Sequence, residues 1–431
     1  MDPVLGRIVF ANRNASKHGV SISYHYGFSM DMGGGEYERI VEQPEKVKIY
    51  QVGKDAITSI NKAIEQWQND LSCHAVIEIT DSNVYDEKIS IEFQEGQKSL
   101  QLRAGNRCRP VIRLTDRHPD RPDAFTVIGA ECSRFTLDGV LIFGRSLQID
   151  GDLAELTIRH STLVPDWTVE QPQFTEHNTN LTNPILEIFS PKVSVFIEHS
   201  ILGQIQVNPF LPEPDSWDEK NEQNGAKDEM IQARCQGIGR EVRLDPIKIT
   251  VHDSILDATA PEAEVIGGPD CPVAHAILTI VRSTVIGQIQ AHAVVLGENS
   301  IFYGQMTVAR RQIGCLRFCY VEPESRTPKR YRCQPDLVKE AISEHCPDKD
   351  EEKKEQEITR IRPRFNSLRY GTPTYCQLAD DCAEEIKQGA DDEAEMGVFH
   401  DLYQPQRMAN LRVRLDKYLP ARMDVGVIVS D

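Results

Sequence analysis

The sequence predicts a mainly β chain built as a single-stranded right-handed parallel β-helix, with an N-terminal capping helix and a C-terminal α/β region. A short unit recurs through its middle, each unit alternates with period two, and no long helical segment separates one unit from the next. The copies are TIRHSTLV (157–164), FIEHSILGQIQV (196–207), TVHDSILD (250–257), TIVRSTVIGQIQ (279–290) and LGENSIFYGQMTV (296–308). Each has an apolar strand, a polar corner, a Ser and a second apolar strand. Units so short cannot bury their own apolar face and must stack. Phe196 and Glu198 before the corner, and then Ile201, Gly203, Ile205 and Val207 after it, follow a two-residue period within each run, which marks strand. Parallel strands of an α/β sheet are joined by crossovers of a dozen or more residues that are usually helical, and no long helix is predicted between these units.

The elements follow in order. Residues 1–54 form an N-terminal segment. DAITSINKAIEQWQND (55–70) predicts an amphipathic helix, with Ile57, Ile60, Ile64 and Trp67 on one stripe and Asp55 placed to cap it. Laid over the first coil, it would cover an open apolar end. The coils are assigned to 55–320, from HAVIEITDSNVY (74–85) onward. Ser161, Ser200, Ser254, Ser283 and Ser300 are read as structural corner residues whose hydroxyls satisfy local backbone groups. Residues 208–244, Pro-rich and then charged, read as an inserted loop, and 258–272 as a smaller one. Residues 321–363 form a charged, partly helical linker. Residues 364–431 form a C-terminal docking region, with helical stripes at Met396, Phe399, Tyr403 and at Leu411, Leu415, Tyr418, and a closing strand in DVGVIVSD (424–431).

A net charge of −18 opposes binding to phosphate backbones and anionic membranes, so nucleic acid is excluded as a partner. No apolar run reaches bilayer length and the first thirty residues lack a secretory pattern, so the expected compartment is the cytoplasm. Eleven cysteines with no CxxC pair point to free thiols in a reducing compartment. Cys315, Cys319, Cys333 and Cys346 are the best metal set, but their spacing fits no zinc pattern.

Catalysis on such a scaffold needs clustered or paired carboxylates. Asp138, Asp150 and Asp152 are the candidate acidic cluster. Asp138 and Asp150 each precede Gly, as β-turns require in any case. HNTNLTN (177–183) lacks the partner acids of a glycosidase. Asp380-Asp381 and Asp391-Asp392 read as solvated helix ends. His160, His199 and His252 read as corner residues, and Gly33-Gly34-Gly35 lacks the strand, Lys and Ser/Thr of a phosphate loop. No catalytic residue, cofactor or metal is assigned.

The opening coils, with a helix before DSNVY (81–85) and LQLRA (100–104), resemble the pectate-lyase and pectin-esterase type of β-helix. The strings YHYGFSMDMGGGEYER (24–39), GCLRFCYVEPESRTPKRYRCQPDL (314–337) and RFNSLRYGTPTYCQLADDCAEEIKQGADDEAEMGVFHDLYQPQRMANLRVRLDKYL (364–419) resemble a family of uncharacterised bacterial β-helix proteins associated with phage-tail-like contractile injection systems. That resemblance implies a structural, non-catalytic component, baseplate-associated or fibre-like, assembled in the cytoplasm without cofactor. Its partners would be other proteins of the particle, or copies of the same chain. The candidate protein-docking residues are Phe365, Arg369, Tyr370, Phe399, Tyr403 and Arg407, of types that dominate interface energetics. A carbohydrate-binding or polysaccharide-cleaving protein is the alternative, with a glycan as its partner.

Overall fold

Successive side chains of an extended chain point to opposite faces, so the alternating segments bury one side and expose the other. The computed structural model describes residues 30–54, 56–114, 125–164, 184–208, 245–269, 273–345 and 350–420. In chain order the strands are Lys48–Val52 (β1), His74–Ile79 (β2), Val84–Tyr85 (β3), Ser90–Glu92 (β4), Ser99–Ala104 (β5), Val111–Arg113 (β6), Phe125–Asp138 (β7), Leu141–Phe143 (β8) and Leu147–Arg159 (β9). Next come Thr162–Leu163 (β10), Leu186–Ile188 (β11), Ser194–Glu198 (β12), Ile201–Leu202 (β13), Ile205–Val207 (β14), Ile247–His252 (β15), Ile255–Asp257 (β16) and Glu264–Gly267 (β17). Ala274–Val281 (β18), Thr284–Ile286 (β19), Gln288–Glu298 (β20), Ile301–Tyr303 (β21), Met306–Val308 (β22), Cys315–Arg317 (β23), Tyr320–Val321 (β24) and Lys329–Tyr331 (β25) complete the set. The helices are Ile60–Asp70 (α1), Asp336–His345 (α2), Asp350–Ile361 (α3), Glu384–Lys387 (α4) and Gln404–Tyr418 (α5).

The strands pair in parallel into a 16-stranded and a 9-stranded sheet. In the larger sheet the pairing closes on itself, running β9–β11–β14–β17–β20–β18–β15–β12 and back to β9. This closed ring of eight parallel strands, with the second parallel sheet beside it, replaces the right-handed β-helix solenoid that the repeats predict. The reason lies in two long strands. β9 pairs with β11 through 147–149 and with β12 through 155–159. β20 does the same, with β17 through 288–289 and with β18 through 291–298. Repeat spacing alone does not reveal that these strands join two ladders at both ends. The ring has the strand number of a (β/α)8 barrel. Among the described residues, however, no helix lies between β2 and β25, and the crossovers are turns and strands of the second sheet.

Each crossing from the ring to the second sheet uses the same corner. The long strand ends, one residue takes a left-handed conformation, a small residue follows, and the short strand begins. Left-handed φ values occur at Gly139, His160, His199, Asp253, Arg282, Asn299, Phe318 and Arg332. In five successive corners the next residue is Ser161, Ser200, Ser254, Ser283 and Ser300, and these form a ladder. Each hydroxyl donates to the carbonyl two residues earlier, at 2.6–2.8 Å. Each of the last four also accepts the backbone N–H of the serine before it, at 3.1–3.3 Å. Cys319 and Cys333 continue the pattern, their thiols donating to the carbonyls of Arg317 and Tyr331. Buried backbone groups must be paired, and a small donor-acceptor side chain does this without pushing adjacent layers apart. Inside the strands Leu100, Leu102, Phe135, Leu137, Leu156, Ile158, Ile197 and Ile249 are fully or almost fully buried.

The end of the larger sheet at β1, β2 and β4 is covered by α1. α1 buries Ile60, Ala63, Ile64 and Trp67, and the Trp67 ring meets Phe93 edge-on at 5.3 Å. The helix starts at Ile60, later than the sequence predicts, and Asp55 lies outside the described residues. Its cap is Ser59, whose hydroxyl accepts from Lys62 N. Glu87 assists, accepting from the Ser59 hydroxyl and from the backbone N–H of Ile60 and Asn61.

The outer face of the second sheet is covered by segments that precede and follow the strands in the chain. Ile201, Ile255 and Ile286 pack against Tyr375, Cys376, Val398 and Phe399, with Met30 and Met32 alongside. Farther along, Ile301 and Tyr320 pack against Ile361, Leu378, Ile386 and Met396. Gly33 and Gly34 let the N-terminal segment press onto the corner. Gly33 N donates to His199 O, Gly34 N donates to the Thr162 hydroxyl, and a Cβ on Gly34 would sit 2.8 Å from the Val140 backbone. The smaller predicted insertion is partly strand, since β17 lies inside 258–272 and pairs with β14 and β20. The residues from Met396 to Phe399 are not helical; Gly397 is left-handed and its N–H donates to Asn299 O. No described helix is long and apolar enough to cross a membrane.

Candidate functional site

The outward faces of β2, β5, β7 and β9 bring three polar rows into register. One row is His74, Ser99, Arg134 and Glu155; a second includes Gln101, Thr136 and Thr157; the third is Glu78, Arg103, Asp138 and Arg159. The segment 42–44 lies over them and encloses a cleft of about 720 Å³. Its roof is pinned by Arg159, which donates to Glu42 Oε2 at 3.0 Å, and by Arg103, which donates to Gln43 Oε1 at 2.9 Å.

Opposite charges alternate along the third row. Arg103 pairs with Glu78 at 2.8 Å and Arg159 with Asp138 at 2.9 Å. Arg39 enters from the N-terminal segment, 3.3 Å from Asp138, and donates to Ala104 O. Asp138 is 1% exposed. Burial pushes its carboxyl upward, opposed by Arg159 and Arg39. A buried carboxylate flanked by two guanidinium groups ties the N-terminal segment to the sheet.

Two other pairs stand out. His74 Nδ1 and the Ser99 hydroxyl lie 2.8 Å apart in the cleft, and among the described residues no carboxylate bonds the other ring nitrogen. His160 stacks on His199 with ring centres 5.0 Å apart and shares a hydrogen bond with the Tyr37 hydroxyl. Burial, with His199 beside it, pushes the His160 imidazole down to about 4, so it is neutral near pH 7.

The sequence-derived acids are not brought together. Asp138 is in the third row, whereas Asp150 pairs with Ile128, far back along β7. Asp150 and Asp152 are exposed, and Asp150 accepts the N–H of Gly151 as a turn residue does. Of the docking residues, Phe365 packs edge-on against Tyr303, Tyr370 against Tyr375, and Phe399 is buried within the chain. Arg369, Tyr403 and Arg407 remain exposed. Cys319 and Cys333 belong to the corner ladder, and Cys346 lies outside the described residues. His160 and His199 share one corner row, but His252 ends β15 in register with Glu198. Asp391 and Asp392 stand in a turn, not at a helix end. HNTNLTN and 209–244 lie outside the described residues.

The cleft itself was missed in the sequence, because its residues come from four strands and meet only through register. The available signal was the polar half of each alternation. A scan against protein-family models finds no match, and a search of curated proteins finds none.

Proposed function

We propose that the chain is a structural, non-catalytic component of a multi-protein particle, and that the particle is of the phage-tail-like contractile injection type named by the sequence resemblance. The observation that supports this best is α5. It buries only Gln404, while Leu411, Val413 and Tyr418 are 42%, 65% and 74% exposed. It also carries Arg407, Arg412, Arg414 and Lys417 on a chain of net charge −18. A basic helix with bare apolar side chains suits docking into an acidic, partly apolar groove on another protein. Sedimentation of assembled particles from native cells, with mass spectrometry of the pellet, tests the reading. Sheath, tube and baseplate proteins should pellet with the chain; a chain found only in the supernatant contradicts it.

The cleft favours one second reading, that of a glycan-binding protein. Lys98, Arg134, Arg159, Gln101 and His74 line an open polar surface suited to an acidic saccharide. Saturable binding on a panel of acidic glycans, lost in Arg134→Ala, would support it, and no binding across the panel would remove it.

A further inference from the structure

We propose that Asp391, Asp392 and His400 form a binding site for a divalent first-row transition ion, which pins the C-terminal wrap to a corner of the ring. One ligand atom from each of the three lies within 4.8 Å of the others. The acids alone would be ordinary surface groups; His400 is what marks the place. It is 5% exposed, and its Nδ1 is buried with no hydrogen-bond partner among the described residues. That nitrogen faces Asp392 Oδ1 at 3.8 Å. The separation is too long for a hydrogen bond. It is close to the span of about 3.3–3.6 Å between two ligands of one tetrahedral ion with arms near 2.1 Å. An unpaired buried imidazole nitrogen costs free energy unless something is meant to fill the gap.

The carboxylates are held from behind, as metal ligands generally are. Asn299 Nδ2 donates to Asp391 Oδ1 at 2.7 Å, and Asn299 Oδ1 accepts from Asp391 N. The Tyr403 hydroxyl donates to Asp392 Oδ2 at 2.8 Å, and Ala394 N donates to Asp392 Oδ1. Asp391 Oδ2 and one lone pair of Asp392 Oδ1 remain for an ion. Asn299 is the left-handed corner residue just before Ser300, so an ion here would join the 389–403 segment to the serine ladder. An imidazole with two carboxylates suits zinc, cobalt or manganese better than calcium, whose ligands are oxygens. Both aspartates are exposed, which gives an entry path and room for water to complete the shell.

The test uses the full chain, free of any affinity tag and stripped with chelator. Calorimetric titration with Zn²⁺ should give one saturable equivalent with micromolar or tighter affinity. Co²⁺ should give visible absorption bands of a nitrogen-oxygen site without a thiolate charge-transfer band. Asp392→Asn and His400→Gln should each weaken Zn²⁺ binding at least tenfold, and Asn299→Ala should weaken it about tenfold through loss of ligand orientation. Circular dichroism confirms that each variant is folded. Absence of saturable binding overturns the proposal, leaving His400 as an ion-pair partner only. Binding that is unchanged in folded Asp392→Asn also overturns it, by placing the ion elsewhere.

Discussion

Replacing Ser254 by Ala removes one rung from the middle of the corner ladder. The side chain is fully buried, donates to His252 O at 2.6 Å and accepts from Ser200 N at 3.1 Å. The His252 carbonyl keeps a second donor, His199 N at 3.3 Å. Among the described residues the Ser200 amide keeps none, and it stays sealed from water. Losing one net hydrogen bond costs about 1 kcal/mol and orphaning a buried amide costs about 1–3, so Ser254→Ala should lose about 2–4 kcal/mol. Ser254→Cys should lose roughly half as much, because Cys319 already makes the equivalent bond at 3.1 Å. Urea unfolding followed by circular dichroism reads both variants against the native chain. An alanine variant within about 0.5 kcal/mol of native would show that the ladder is incidental to stability.

Glu395 gives a pH signature. Burial, with no hydrogen-bond partner for either oxygen, pushes its carboxyl from 4.5 up to about 8. Folding thus favours the protonated form. Its contribution is fully present below pH 4.5 and is lost as the pH rises towards 8, at up to about 1.4 kcal/mol per pH unit. Glu395→Gln should flatten that decline and melt higher than the native chain near pH 8; parallel melting curves from pH 5 to 9 would contradict this. Glu87→Ala should cost about 1–2 kcal/mol by uncapping α1, seen as faster amide exchange in its first turn, and unchanged exchange there would refute the cap. Tyr375→Phe removes the 2.5 Å bond to buried Asp257, leaving that carboxyl, among the described residues, with Thr259 N as its remaining donor. The 364–403 segment should then exchange and be cleaved faster, at a cost of about 1–3 kcal/mol, whereas native-like proteolysis would show that the contact does not hold the wrap.

Legibility differed sharply along the chain. Period-two strands and serine corners were readable because both signals are local: alternation through Val195–Glu198, where Val195 and Ile197 are buried and Phe196 and Glu198 exposed, and a small hydroxyl after each polar corner. The start of α1 was misread because two capping residue types, Asp55 and Ser59, stand before the apolar stripe, and what favours Ser59 is the Glu87 carboxylate, which reaches its hydroxyl from beyond the helix. Closure of the ring depends on which end of β9 and β20 meets which neighbour, a property of three-dimensional register. The cleft has the same origin. Met396, Phe399 and Tyr403 have helical spacing, but Gly397 turns left-handed so that its amide can reach Asn299, and tertiary pairing overrides periodicity. Asp391 and Asp392 looked like solvated acids because His400, the residue that gives them meaning, approaches only after that turn.

Sedimentation of assembled particles from cells carrying either the native chain or Val413→Asp tests the docking role most directly. Val413 is 65% exposed, so the substitution should leave the unfolding midpoint within about 0.5 kcal/mol of native. The native chain should pellet with particle proteins, and the variant should remain in the supernatant. A native chain that never pellets, or a variant that pellets equally well, would contradict assembly through α5.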